Sequence, residues 1–251
     1  MVENMSKSQR YRAQLQAMQD WDAFLLAESN LPGPRSNLEL AFVVAELGDE
    51  ALFLRYLEHA PEQAPVNTPA EFLPVCGVIG LGRFAGPQRP DVLARLRRCA
   101  NDPRWRMREG VAMALQTLGR SHMDFLLDEM NVWAAGTALE QRAAAAALCE
   151  PVLLKQPAQV QRVLDILDAI THRMSAAPDR KSEDFKALRK GMAYCWSVAV
   201  AALPDAGRPY LEKWCASTDK DIRWLVRENL KKDRLLRIDP AWVETCLQRM
   251  G

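Results

Sequence analysis

Metal-type histidine clusters, cysteine pairs, strand-like alternation and long apolar runs are all scarce in this chain of 251 residues. Each scarcity removes a class of function. The three histidines, His59, His122 and His172, are far apart and form no H-x-x-x-H or His-Glu pair, so no metal is expected. The six cysteines, Cys76, Cys99, Cys149, Cys195, Cys215 and Cys246, include no C-x-x-C spacing. They sit in apolar helical patterns and read as small buried hydrophobes in a reduced compartment. No Ser/His/Asp or Cys/His signature appears, and no cofactor is expected. Excess charge of one sign is also missing: 33 basic and 32 acidic side chains leave +1. That balance gives no global argument for nucleic acid or membrane, and an electrostatic partner must be read from local clusters. The segment Met1 to Gln16 is polar and basic and lacks the apolar stretch of a signal peptide. The longest nearly apolar runs, Ala143–Cys149 and Cys195–Leu203, are too short to span a bilayer. A cytoplasmic protein with no membrane partner is the expectation.

What is abundant is helix-forming. Ala, Leu, Arg, Glu and Gln dominate, and helix starts are well marked. Ser36-x-x-Glu39, Thr68-Pro69-x-Glu71 and Thr137-x-x-Glu140 have capping-box spacing. Asp102-Pro103 and Asp239-Pro240 place a capping acceptor before a proline at the first helical position. Gly48, Gly119 and Gly136 follow apolar helical patterns and read as stops. Paired helices are predicted over 38–47 with 49–59, 70–85 with 90–101, and 104–118 with 121–135. Three more pairs follow, 138–154 with 158–175, 183–203 with 206–216, and 220–236 with 240–250. Residues 1–36 read as an N-terminal cap and loop, and 37–251 as one continuous repeat domain. Gly77-x-x-Gly80-x-Gly82 lacks phosphate-loop spacing and a preceding strand, so close helix packing is its expected role.

The repeat is also visible in the residues. Asp102-x-x-Trp105-x-Met107-Arg108-Glu109-x-Val111 returns as Asp221-x-x-Trp224-x-Val226-Arg227-Glu228-x-Leu230. Arg189-Lys190-Gly191-Met192-Ala193 echoes Arg108-Glu109-Gly110-Val111-Ala112. The first copy, continued through Ala114-Leu115 to Leu118-Gly119, resembles the consensus helix of HEAT-repeat proteins. That resemblance implies an all-α, right-handed α-solenoid of about six HEAT-like helix pairs. Stacked pairs of this kind bury a continuous core and leave one face concave.

On a helix, Met107, Val111, Ala114 and Leu118 share one face, while Trp105, Glu109, Ala112 and Gln116 point nearly opposite. Trp224 stands off its own apolar stripe in the same way. Trp105 and Trp224 are thus candidate binding residues, by stacking on a base or gripping a partner. Arg95, Arg97, Arg98, Arg104 and Arg106 make one basic cluster. Lys220, Arg223, Arg227, Lys231, Lys232, Arg234 and Arg237 make another, diluted by acids. Arg95, Arg97, Arg104, Arg106 and Arg223 are the candidates for phosphate. Asp102, Arg108, Asp221 and Arg227 read as a structural ladder, each arginine bonding an aspartate cap of a neighbouring repeat. The expected function is a non-enzymatic interaction scaffold that binds a protein partner on its concave face. The alternative is a DNA-binding protein, because the Trp-x-x-Arg-Glu copies also resemble the HEAT-like DNA alkylation repair glycosylases. That resemblance carries over only Trp105, Arg108, Trp224 and Arg227. It assigns no catalytic aspartate, and the near-neutral charge opposes it.

Overall fold

The computed structural model describes residues 5–251, so the first four residues of the expected N-terminal cap lie outside the described part. Among the described residues there are fourteen α-helices, two short 3-10 turns and no strand. The all-α expectation therefore holds. The chain forms two compact units, one ending at Leu118 and the other beginning at Gly119.

The first unit contains α1 (Lys7–Gln16), α2 (Asp22–Ala27), α3 (Leu38–Leu47), α4 (Glu50–Leu57), α5 (Phe72–Leu81), α6 (Pro90–Ala100) and the start of α7 (Trp105–Trp133). Its centre is α5, which packs against α2, α3, α4 and α6. Every residue of α5 is buried, as expected of a helix that is apolar all round. Two of its small residues set the spacing: a Cβ on Gly77 would lie 2.9 Å from the Phe53 carbonyl oxygen, and one on Gly80 would strike the Phe53 ring. Just beyond α5, a Cβ on Gly82 would come within 2.6 Å of the backbone of Ala114 on α7. The glycine triplet thus brings helices to backbone contact, as its sequence context implies. The N-terminal segment is more ordered than the reading as cap and loop suggests. Ser6 and Gln9 form a reciprocal capping box that starts α1, and α1 packs on α3.

The second unit contains the rest of α7, then α8 (Ala138–Leu148), α9 (Pro157–Ser175), α10 (Glu183–Ala202), α11 (Pro204–Cys215), α12 (Lys220–Leu230), α13 (Asp233–Ile238) and α14 (Pro240–Met250). Here α10 is central, touching α8, α9, α11, α12 and α13. A buried Asn229 joins α12 to it, accepting from the Ser197 backbone N–H and donating to the Met192 carbonyl.

Several helix limits differ from expectation, each for a local reason. Asn37, not Ser36, caps α3 by accepting from Leu40 N–H. Thr68 makes no side-chain cap, and Glu71 accepts instead from the Asn67 N–H. The box at Thr137 and Glu140 is complete, and Asp239 caps α14. Gly119 is not a stop, because the helix passes it and is interrupted at His122, with φ −140° and ψ 54°. A Cβ at Gly119 would press on Leu126 and Leu153, so this glycine serves packing. α8 ends at Leu148, six residues early, because Pro151 disfavours helix in the residue before it. The single helix expected over 220–236 breaks at Lys231 and Lys232. Leu230 and Leu235 lie about 140° apart on an unbroken helix. The break lets both reach full burial.

Gly82→Ala should destabilise the protein by about 1–3 kcal/mol, because the new methyl meets backbone that cannot rotate away. This outweighs the gain in helix propensity of about 1 kcal/mol. Urea denaturation of the variant checks it, and an unchanged midpoint would show that the contact yields freely.

Candidate functional site

The start of α7 is the best-developed polar assembly in the first unit. Arg104 and Arg106 are only 3% and 4% exposed. Arg104 grips both carboxylate oxygens of Asp102, at 2.9 and 2.7 Å, and donates to the carbonyls of His59 and Ala64. It thereby pins the chain after α4 to the chain before α7. Arg106 donates to Glu71 Oε2 at 3.0 Å, to the Gly33 carbonyl and to Asn67 Oδ1. Glu71 is fully buried, and its other oxygen, Oε1, has no partner among the described residues. Asn67, in the left-handed region at φ 63°, bonds Gly33 N–H and holds the 31–34 loop in place. Asparagine tolerates that backbone better than most side chains.

These bonds fix Trp105. The Arg106 guanidinium lies 4.3 Å from the Trp105 ring centroid, leaving the indole 43% exposed. Beside it is a cleft of about 510 Å³. Buried Val75 and Ile79 of α5 form its floor, with Leu38, Met113 and Trp105 around it and Arg35 and Glu109 as charged lining residues. Leu38 is 37% exposed, and Phe42, one turn further along α3, is 43% exposed. Two large, partly exposed apolar side chains, Leu38 and Trp105, therefore border one cleft with an apolar floor, and Phe42 continues the Leu38 face of α3.

The second unit places the other motif copy differently. α12 is capped by Asp219, not Asp221, and begins four residues before Trp224, whereas α7 begins at Trp105 itself. The two motif copies, aligned in sequence, thus occupy different helix phases. Trp224 is 37% exposed, with the Arg189 guanidinium 4.5 Å from its ring centroid. Arg189 and Arg180 both pair with buried Asp221, and Arg180 also holds Asp219. The 179–184 loop is thus anchored by a half-buried arginine. Burial pushes the Asp219 carboxyl up, but Arg180 and the N–H groups of Ile222 and Asp221 pull it below its ordinary 3.8.

The remaining candidates divide. Arg104 and Arg106 are withdrawn from phosphate by their own ion pairs. Arg95 and Arg97 are half-buried on α6, and Arg98 is exposed. Arg223 leans toward the Ser217 carbonyl at 3.4 Å. The ladder differs from expectation. Asp102 is the counter-ion of Arg104, and Arg108 donates to the Asp102 and Pro103 carbonyls. Arg227 donates to main-chain oxygens of Met250 and Gly251 and pairs with no Asp or Glu among the described residues. Opposite the apolar stripe, Ala112 is buried, while Glu109 and Gln116 are half-buried. Sequence reading missed Leu38, Phe42 and the role of Glu71. The signal for the first two was the near-continuous apolar run of α3, wider than one core face requires.

Among the described residues, no helix is long and apolar enough to cross a membrane, and no three His, Cys, Asp or Glu side chains gather as a metal site. No protein-family model matches the chain, and no curated protein is similar to it in sequence.

Arg106→Met should cost about 3–5 kcal/mol, because it strands the Glu71 carboxylate in the core. Adding Glu71→Gln should restore part of that loss. Equal denaturation midpoints for the single variant and the parent would show the pair to be dispensable. Asp219 supplies a pH test. A carboxyl lowered by folding contributes stability that is present above its unfolded value and is lost as pH falls through the folded one. Asp219→Asn should therefore lower the midpoint at neutral pH and flatten its decline below about pH 4.

Proposed function

We propose that this chain is a HEAT-like interaction scaffold without catalytic activity of its own. Its Trp105 cleft seats apolar side chains of a protein partner. The helix pairs and the repeated Asp-Trp-Arg-Glu signature support the repeat reading. The cleft itself carries the functional one. Leu38 and Trp105 present apolar surface beside a floor of Val75 and Ile79, and exposed Phe42 extends the Leu38 face of α3 beyond the lining. Exposed apolar groups that converge on a depression mark interaction sites, and a partly exposed tryptophan in such a place is the kind of residue that dominates binding energy. The charges nearest the indole favour the same reading over nucleic acid. Arg104 and Arg106 spend their donors on Asp102, Glu71 and main-chain carbonyls inside the unit. A phosphate backbone needs exposed cations along its path.

The test begins with a photoreactive amino acid at position 42, cross-linked in extract, followed by purification of the captured protein. Direct binding by the purified partner is expected, weakened at least about tenfold by Trp105→Ala, which corresponds to about 1.4 kcal/mol. Duplex DNA, titrated in parallel at two salt concentrations, should bind weakly, with no change on Trp105→Ala. Tight, steeply salt-dependent DNA binding that needs Trp105, or a purified partner indifferent to Trp105, would overturn the proposal.

A further inference from the structure

The second unit carries a cleft of a different kind, about 550 Å³ in volume. Its apolar walls come from Leu154, after α8, from Val198, Ala201 and Ala202 at the end of α10, and from Ile238 of α13. Three cations line it, Lys155, Arg234 and Arg237, and no acid does. In α13 the residues Arg234, Arg237 and Ile238 fall at positions i, i+3 and i+4, which share one face of a helix. Leu235, fully buried, anchors that face toward α10.

The charge of this cleft is of one sign. Several arginines and lysines elsewhere in the unit meet acids: Arg162 with Asp124 and Asp128, Lys213 with Asp168, Arg208 with Asp239, and Lys231 with Glu228. Lys155, Arg234 and Arg237 form no ion pair among the described residues. Arg234 is nonetheless positioned, since it donates to the Tyr194 hydroxyl and stacks 4.5 Å from that ring centroid. Tyr194, against which Arg234 stacks, is itself an exposed aromatic side chain, as Ile238 is an exposed aliphatic one.

We propose that this cleft binds an acidic peptide segment, one or two carboxylates meeting Lys155, Arg234 and Arg237 while a neighbouring aliphatic side chain enters between Val198 and Ile238. Three cations without a counter-ion call for an anionic partner by charge complementarity. The aliphatic walls decide which one: they offer contact to Leu, Ile or Val, and no flat surface on which successive bases stack. The proposal rests on the reading of the chain as a binder of polypeptides, but it uses a site separate from Trp105.

The test is selection of a displayed library of random 12-residue peptides on the full-length protein, followed by fluorescence polarisation with the selected peptide. A family of peptides combining Asp or Glu with Leu, Ile or Val should emerge. Its binding should weaken about tenfold in the double variant Lys155→Gln, Arg237→Gln, and again in Ile238→Ser. It should weaken similarly when the peptide acids become amides, and decline with added salt. Lys155 and Arg237 are exposed and make no side-chain bond that the fold needs, so an unchanged urea midpoint separates lost binding from lost folding. Trp105→Ala should leave this binding unchanged. Failure of the acidic peptides alone therefore sinks this site and spares the cleft at Trp105, while the reverse pattern does the opposite. No selected peptides, a consensus without acids, indifference to the double variant, or tighter binding of a 12-nucleotide single strand would each overturn the proposal.

Discussion

The ion pair between Arg106 and Glu71 joins segments of the first unit that are distant in sequence. Through Arg106 it holds the loop at Gly33, through Glu71 the turn at Asn67 and the entry to α5, and by stacking it fixes the Trp105 ring. Burying two charges costs more than exposing them, and the cost is offset only where remaining donors and acceptors are also met. Here the Gly33 carbonyl, the Asn67 side chain and the Asn67 N–H meet some of them. Glu71 Oε1 and Arg106 Nε stay without partners. The cleft beside Trp105 is thus bounded by the most constrained part of its unit, and its aromatic wall is held in place before any partner arrives. Such preorganisation lowers the entropy a complex must lose on forming.

Each unit is arranged around one helix, but the two core helices reach burial by different means. α5 is apolar on every face and relies on Gly77 and Gly80 for close approach. α10 mixes apolar residues with a few internal polar groups. Ser197 receives its neighbour through Asn229, and Trp196 donates to Thr171. Side-chain hydrogen bonds of this sort specify one register, because a slipped helix would leave buried donors unmet.

Much of this was legible in the sequence. Helix class, the starts of α8 and α14 and the packing role of the glycine triplet follow from local chemistry: Thr137 three residues before Glu140, Asp239 before Pro240, small residues in an apolar run. Pro151 was a legible stop for α8 that periodicity alone overran. Other features depended on tertiary partners. Nothing local distinguishes Arg104 and Arg106, which are buried, from Arg98, which is exposed, since their counter-groups lie far away at Ala64 and Glu71 or next door at Asp102. The near-identity of the two Trp-containing motifs also concealed a shift in helix phase, because the capping aspartate that starts α12 lies two residues before Asp221. Likewise the C-terminal basic cluster was one group in sequence and separates in space. Arg227 turns to the chain end, Lys231 to Glu228, and Arg234 and Arg237 to a cleft.

The interruption at Lys231 and Lys232 makes chain length itself a determinant here. One residue inserted or removed at that joint would change which side chains α13 turns toward α10. Leu235 would rotate toward water and a neighbouring side chain, Arg234 or Leu236, toward the core. A helix only six residues long, Asp233–Ile238, has too few internal hydrogen bonds to resist through its own stability. The number of residues at the joint thus decides which face α13 presents.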